Sequence, residues 1–191
     1  NMTLENIEDG NPVAVYKTGS NWGGFIAITL NNLKVGALSY FFGIFLGIGT
    51  FYILLNNCIM LGSFQYFFYQ RGVFWESVRG IWIHGSMEIF AMIIEAGAGF
   101  ILGASILFPQ TFSRLNSFKI GFQNSFKIFL STMPFTFAAG FLEGYITRYS
   151  MEMPTYLSVG IILITLSIIS FYYLIYPFIV HKKAKKYVST L

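Results

Sequence analysis

Apolar residues in this chain come in long runs separated by short polar breaks, with no strict alternation. About 20 apolar residues cross a bilayer as a helix, so the runs are read first by length. Residues 83–108, IHGSMEIFAMIIEAGAGFILGASILF, predict a central spanning helix that ends at Pro109. Residues 36–55 predict the span before it, interrupted by Asn56 and Asn57. The apolar stretch that follows, residues 58–69, is too short for a straight crossing and predicts a segment that enters the membrane without traversing it. Residues 124–147 predict the third span, with a kink at Pro134, and residues 155–180 the last. Residues 22–35, 73–82 and 110–127 mix Trp and Phe with Asn, Arg and Lys, the pattern of amphipathic helices lying in the interface. The expected fold is thus an all-α polytopic membrane protein: four transmembrane helices, a short re-entrant segment and interfacial amphipathic helices. Residues 1–22 read as a polar tail, 23–187 as a single integral-membrane domain and 188–191 as a C-terminal tail. A weak repeat aligns Asn31, Lys34 and Gly47 with Asn124, Lys127 and Gly140.

Composition agrees with this reading. Of 191 residues, 55% are hydrophobic, 19% aromatic and 10% charged, with a mean hydropathy of +0.62, outside the range of ordinary soluble domains. The lipid bilayer is therefore the main expected partner. The net charge of +4 is no nucleic-acid signal, because much of it comes from Lys182, Lys183, Lys185 and Lys186 just after the last apolar run. The lone Cys58 excludes an intramolecular disulfide and a cysteine-based metal cluster. No cleavable signal peptide is expected, since residues 1–25 are mostly polar, and Asn1 ahead of Met2 reads as a residue added at the terminus. With four crossings, the positive-inside rule places both termini in the cytoplasm and leaves Arg71, Arg79 and Arg148 outside.

The central run carries His84, Glu88 and Glu95. At about 100° per residue, Glu88 lies about 40° and Glu95 about 20° round from His84, so all three share a face. A charge in hydrocarbon costs at least about 2.5 kcal/mol, so that face is expected to look at protein or water. Glu143, on the third span, falls at about the level of Glu88. His84, Glu88, Glu95 and Glu143 are the candidate ligand or proton-site residues, and the face of the central helix is expected to pack on the Gly140–Gly144 region. Each has a plainer reading: His84 bonding a neighbour at the interface, Glu88 bonding His84, Glu95 acting as neutral hydrogen-bonding glue, and Glu143 pairing with Arg148. Gly43 with Gly47, Gly99 with Gly103, and Gly140 with Gly144 show the spacing that lets helix backbones approach closely, and Leu there should cost far more than Ala. The His-x-x-x-Glu spacing lacks the second histidine of a metalloprotease motif, and His181 is expected on the opposite side of the membrane. With no phosphate loop and no Ser/His/Asp arrangement, an enzyme is disfavoured and no catalytic residue, metal or cofactor is assigned.

Three stretches together are distinctive: Asn31-Asn-Leu-Lys-Val35 leading into a Gly-rich span, NNCIMLG from Asn56 to Gly62, and His84-Gly85-x-x-Glu88 followed by Gly97, Gly99, Gly103 and Phe108-Pro109. They resemble the stage II sporulation protein M family of bacterial integral-membrane proteins, over roughly residues 25–186. The resemblance implies a role at the cell envelope in the cytoplasmic membrane: a scaffold that anchors or recruits peptidoglycan-remodelling partners, as the founding member does in sporulation. It also implies that family members often carry a longer soluble N-terminal region. It supplies no role for His84, Glu88, Glu95 or Glu143. Two functions therefore stand side by side: the envelope scaffold, and a transporter or lipid- or ion-handling protein built on the intramembrane His/Glu site. A homo-oligomer is compatible with both.

Overall fold

In the computed structural model, residues 20–188 are described; the expected tails at 1–22 and 188–191 lie almost wholly outside that range. The described residues are helical with no strand. Helix α1 is Asn21–Phe41, α2 is Ile48–Gln70, α3 is Phe74–Leu107, α4 is Arg114–Phe141, α5 is Thr155–Ser170 and α6 is Tyr176–Val188. A π-helical turn, Leu142–Ile146, and a 3-10 turn, Thr147–Tyr149, extend α4. A second π turn, Phe171–Ile175, joins α5 to α6. Counting these extensions, five helical segments are long and apolar enough to cross a membrane: 21–44, 48–70, 74–107, 114–149 and 155–186.

The boundaries differ from the sequence-based ones. The span expected over residues 36–55 is divided by a 3-10 turn at Phe42–Ile44, followed by Leu46 (φ 58°) and Gly47 (φ 82°) in the left-handed region, where the chain reverses. Asn56 and Asn57 do not interrupt anything. Their amides bond back to the carbonyls of Tyr52 and Ile53, each at 2.8 Å, so residues 58–69 continue one 23-residue helix. The stretches 22–35, 73–82 and 110–127 are likewise no separate surface elements. From residues 22, 74 and 114 onward they are the first turns of α1, α3 and α4, because nothing further along breaks the backbone ladder. Helix α4 continues through Pro134. At the second π turn the cause is visible in the sequence: Pro177 has no N–H to give to Tyr173, so the turn before it widens. The 93-residue repeat has no structural counterpart at its glycines, since Gly47 sits in the left-handed turn and Gly140 within α4.

Cross-helix contacts fix the direction of each pass. Thr50 Oγ1 donates to the Ser39 carbonyl at 2.7 Å, so α1 and α2 form a hairpin about the Phe42–Gly47 turn. Ser117 Oγ donates to the Ser105 carbonyl at 2.6 Å, and Thr132 meets Glu95, so α4 returns antiparallel along α3. Arg79 bonds Thr155 at 2.9 Å and Ser86 bonds Thr165 at 2.8 Å, so α5 runs alongside α3 in the same direction. Asn21 and the C-terminal lysines consequently lie at opposite ends of the bundle. Helix α3 touches every other pass and forms its axis.

Lipid is as apolar as Leu, so close packing and polar contacts replace hydrophobic drive between helices. Tyr40 stacks on Phe129 at 4.9 Å and bonds Ser125 at 3.0 Å, within a cluster that includes Ala98 and Leu102. The Phe42–Gly47 turn lies on the small face of α3. A Cβ at Gly103 would come within 2.5 Å of the Gly47 nitrogen, and one at Gly43 would overlap the backbone of Gly99. Gly140 and Gly144 also sit at contacts, where a Cβ would meet Thr29 and Phe25 of α1, while the Leu142–Ile146 turn around Gly144 also packs on α3. At Gly43 and Gly103 even Ala has no room, because the neighbouring atoms are backbone.

Candidate functional site

His84 and Glu88 are one turn apart on α3, so they point the same way. Glu143 reaches them from the π turn after α4. A π turn carries an extra residue and re-aims the side chains around it, and such turns recur at functional sites. His84 Nε2 lies 3.7 Å from Glu143 Oε2. One ligand atom from each of His84, Glu88 and Glu143 falls within 4.8 Å of the others. Donor atoms around one ion bound at about 2.0–2.6 Å stand roughly 3–5 Å apart, so the three fit a common ion with small inward movement.

The second nitrogen of His84 is also engaged: Nδ1 lies 2.9 Å from Thr147 Oγ1, four residues beyond Glu143. Metal-binding histidines almost always donate their other N–H to an oxygen, which fixes the tautomer and aims the remaining lone pair. In the tautomer that donates Nδ1–H to Thr147, the Nε2 lone pair is left free on the side where Glu143 approaches. Glu88 and Glu143 at this separation cannot both be ionised without a counter-charge, which a shared proton, a cation or a charged His84 supplies.

The cluster forms the polar floor of a cavity of about 850 Å³ between α1, α2 and α3. Its walls are apolar, among them Ile28, Met60, Phe64 and Phe67, while Asn31, Asn32 and Ser63 add polar groups. A smaller cavity of about 80 Å³ continues inward from Glu88 past Asn32 and Asn57 to Glu95 and Thr136.

Glu95 shares the helical face of His84 but not its cluster. It is buried, and its Oε1 accepts from Thr132 Oγ1 at 2.7 Å. A Cβ on Gly36 of α1 would overlap this carboxyl, so the glycine makes the room it occupies. Arg148 donates to Asn21 Oδ1 and ties the end of α4 to the start of α1. His181 lies with Ile101 and Val180 at the far end of the bundle from His84. The sequence pattern assigned none of Thr147, Thr132, Thr136, Asn32, Asn57 and Gly36 to the site. The signal for Asn31, Asn32 and Asn57 was available, as amides inside apolar runs, and reads there as interruption. The threonines carry no sequence signal, because their roles depend on partners brought in from another helix.

Among curated proteins and among solved structures, no match to the chain is found. Residues 2–148 match the family described as Stage II sporulation protein M. That match takes in His84, Glu88, Glu95 and Glu143 and stops before α5. With most of its length so matched, the chain belongs to the stage II sporulation protein M family.

Proposed function

We propose that this protein is an ion-handling membrane protein that holds a divalent cation between α3 and the π turn after α4, with His84, Glu88 and Glu143 as ligands. One observation carries the reading: a one-nitrogen, two-carboxylate set converges at the floor of a cavity that reaches into the bundle. Imidazole with two carboxylates suits zinc, manganese or ferrous iron. A purely structural network would need no access, whereas this one opens to a volume far larger than an ion needs. In isothermal titration of the purified protein, the wild type should bind one Zn²⁺ or Mn²⁺, and the Glu88→Gln, Glu143→Gln double variant none. Equal binding by both, or by neither, overturns the reading.

The directions of the passes support a multi-pass arrangement with five crossings in place of four, and the family resemblance favours the cytoplasmic membrane. The end bearing Arg114, Lys119 and the C-terminal lysines then faces the cytoplasm, and Arg71, Arg79 and Arg148 lie opposite. In that arrangement the cation site sits in the outer half of the bundle.

Family membership favours a second reading, a membrane scaffold that recruits envelope-remodelling partners. Under it the His/Glu cluster only fixes helix register, and the two Gln substitutions leave function intact.

A further inference from the structure

The smaller cavity lies between two carboxylates, not beside one. Glu88 lines both cavities, and Glu95 lines only the inner one. Between them the wall is polar: Asn31 and Asn32 from α1, Asn57 from α2 and Thr136 from α4. The side-chain amide of Asn32 reaches Glu88, so an amide and a carboxylate meet on this wall. At about 80 Å³ this space is far smaller than the outer cavity and of a size for an ion with a few waters. Past Glu95 the way is closed. Gly99 and Gly103 lie against the backbone of Ser39, Gly43 and Gly47, where α1 turns into α2.

We propose that Glu95, with Thr136 and the surrounding amides, is a second cation station, and that Glu88 hands the ion inward from the outer cluster to it. This rests on the cation reading of His84, Glu88 and Glu143. The charge balance follows from the residues. In the outer position Glu88 and Glu143 neutralise a divalent ion, and in the inner position Glu88 and Glu95 do so. Glu88 stays a ligand throughout, so the ion is never left without a carboxylate in a low-dielectric interior. As the ion moves inward, Glu143 takes up a proton and Glu95 gives one up, so at either station the divalent ion faces two ionised carboxylates and the third stays neutral. The inner donors are all oxygen, against one nitrogen outside, so the inner station holds the ion less selectively and releases it. The Phe42–Gly47 turn is the closed gate beyond it.

The test uses the full chain in sealed proteoliposomes with Mn²⁺ as the probe, together with Mn²⁺ titration of the purified protein. The wild type should bind Mn²⁺ and carry it across the bilayer. Glu95→Gln keeps the shape of the side chain, and Asn57→Leu fills the inner cavity from the opposite wall. Both should lower flux by about tenfold or more while the outer cluster still binds one ion. Binding with no wild-type flux, or wild-type flux left intact by both variants, overturns the inner station and leaves the outer site standing. Failure of the wild type to bind Mn²⁺ or Zn²⁺ overturns both.

Discussion

His84 and Glu143 stand on different helices, yet His84 Nε2 comes within 3.7 Å of Glu143 Oε2. The approach depends on the π turn at Leu142–Ile146 and is anchored on its other side by Thr147, which holds His84 Nδ1 at 2.9 Å. A carboxylate pair beside an imidazole is stable only with a counter-charge, and the predictions start from that condition.

In the presence of a chelator, the Glu143→Gln variant should be at least as stable as the wild type, because the substitution removes a like-charge neighbour of Glu88. Added Zn²⁺ or Mn²⁺ should raise the wild-type Tm and leave the variant unmoved, since about 2.7 kcal/mol is gained at a hundredfold excess over Kd only by a chain that binds. Scanning fluorimetry with and without metal measures both. Equal metal-induced shifts in the two proteins would contradict the cation site.

Thr147→Val keeps the size of the side chain and removes the oxygen that orients His84. Metal affinity should fall about 10–100-fold, as for other partners of a ligating histidine, and Thr147→Ser should restore most of it. Titration calorimetry distinguishes this from a packing role, in which Val would be tolerated and Ser would not.

Labelling at positions 20 and 71 reports the number of crossings. Both positions lie at one end of the bundle, because Ala27 and Ile28 of α1 meet Phe64 and Phe67 of α2 around one cavity. Ser20→Cys and Arg71→Cys, each made with Cys58→Ala, should react with an impermeant thiol reagent from the same side. Reaction from opposite sides would show that α2 enters without crossing.

Gly103→Ala and Gly99→Ala should each destabilise by about 1–3 kcal/mol, since the added methyl meets backbone atoms of the Phe42–Gly47 region and the end of α1. Gly97→Ala is the control: nothing lies within 4 Å of a Cβ there, and it should be neutral or stabilising by up to about 1 kcal/mol. Thermal unfolding in detergent compares the three. Equal tolerance would mean that the α3 glycines do not carry the packing of the α1–α2 turn.

The sequence alone determined that the chain is helical and membrane-embedded, because runs of this length and apolarity leave the backbone no other way to satisfy its polar groups in lipid. It also determined which residues cannot face lipid. His84, Glu88 and Glu95 fall on one face by helical period alone, and Glu143 was the carboxyl on another run at a matching depth. What it could not decide was where a run stops being one helix. Asn56 and Asn57 read as a break, but in a helix their amides bond back to carbonyls four residues earlier, and the true reversal came at Phe42–Gly47, inside an unbroken apolar run. Nor could it separate Glu95 from the cluster. Helical period gives direction around one axis, whereas partnership depends on what the neighbouring helices present: Thr132, Thr136 and Gly36 to Glu95, Glu143 and Thr147 to His84. Those partners come from segments far away in the chain, and only the packing of α1 and α4 against α3 brings them together.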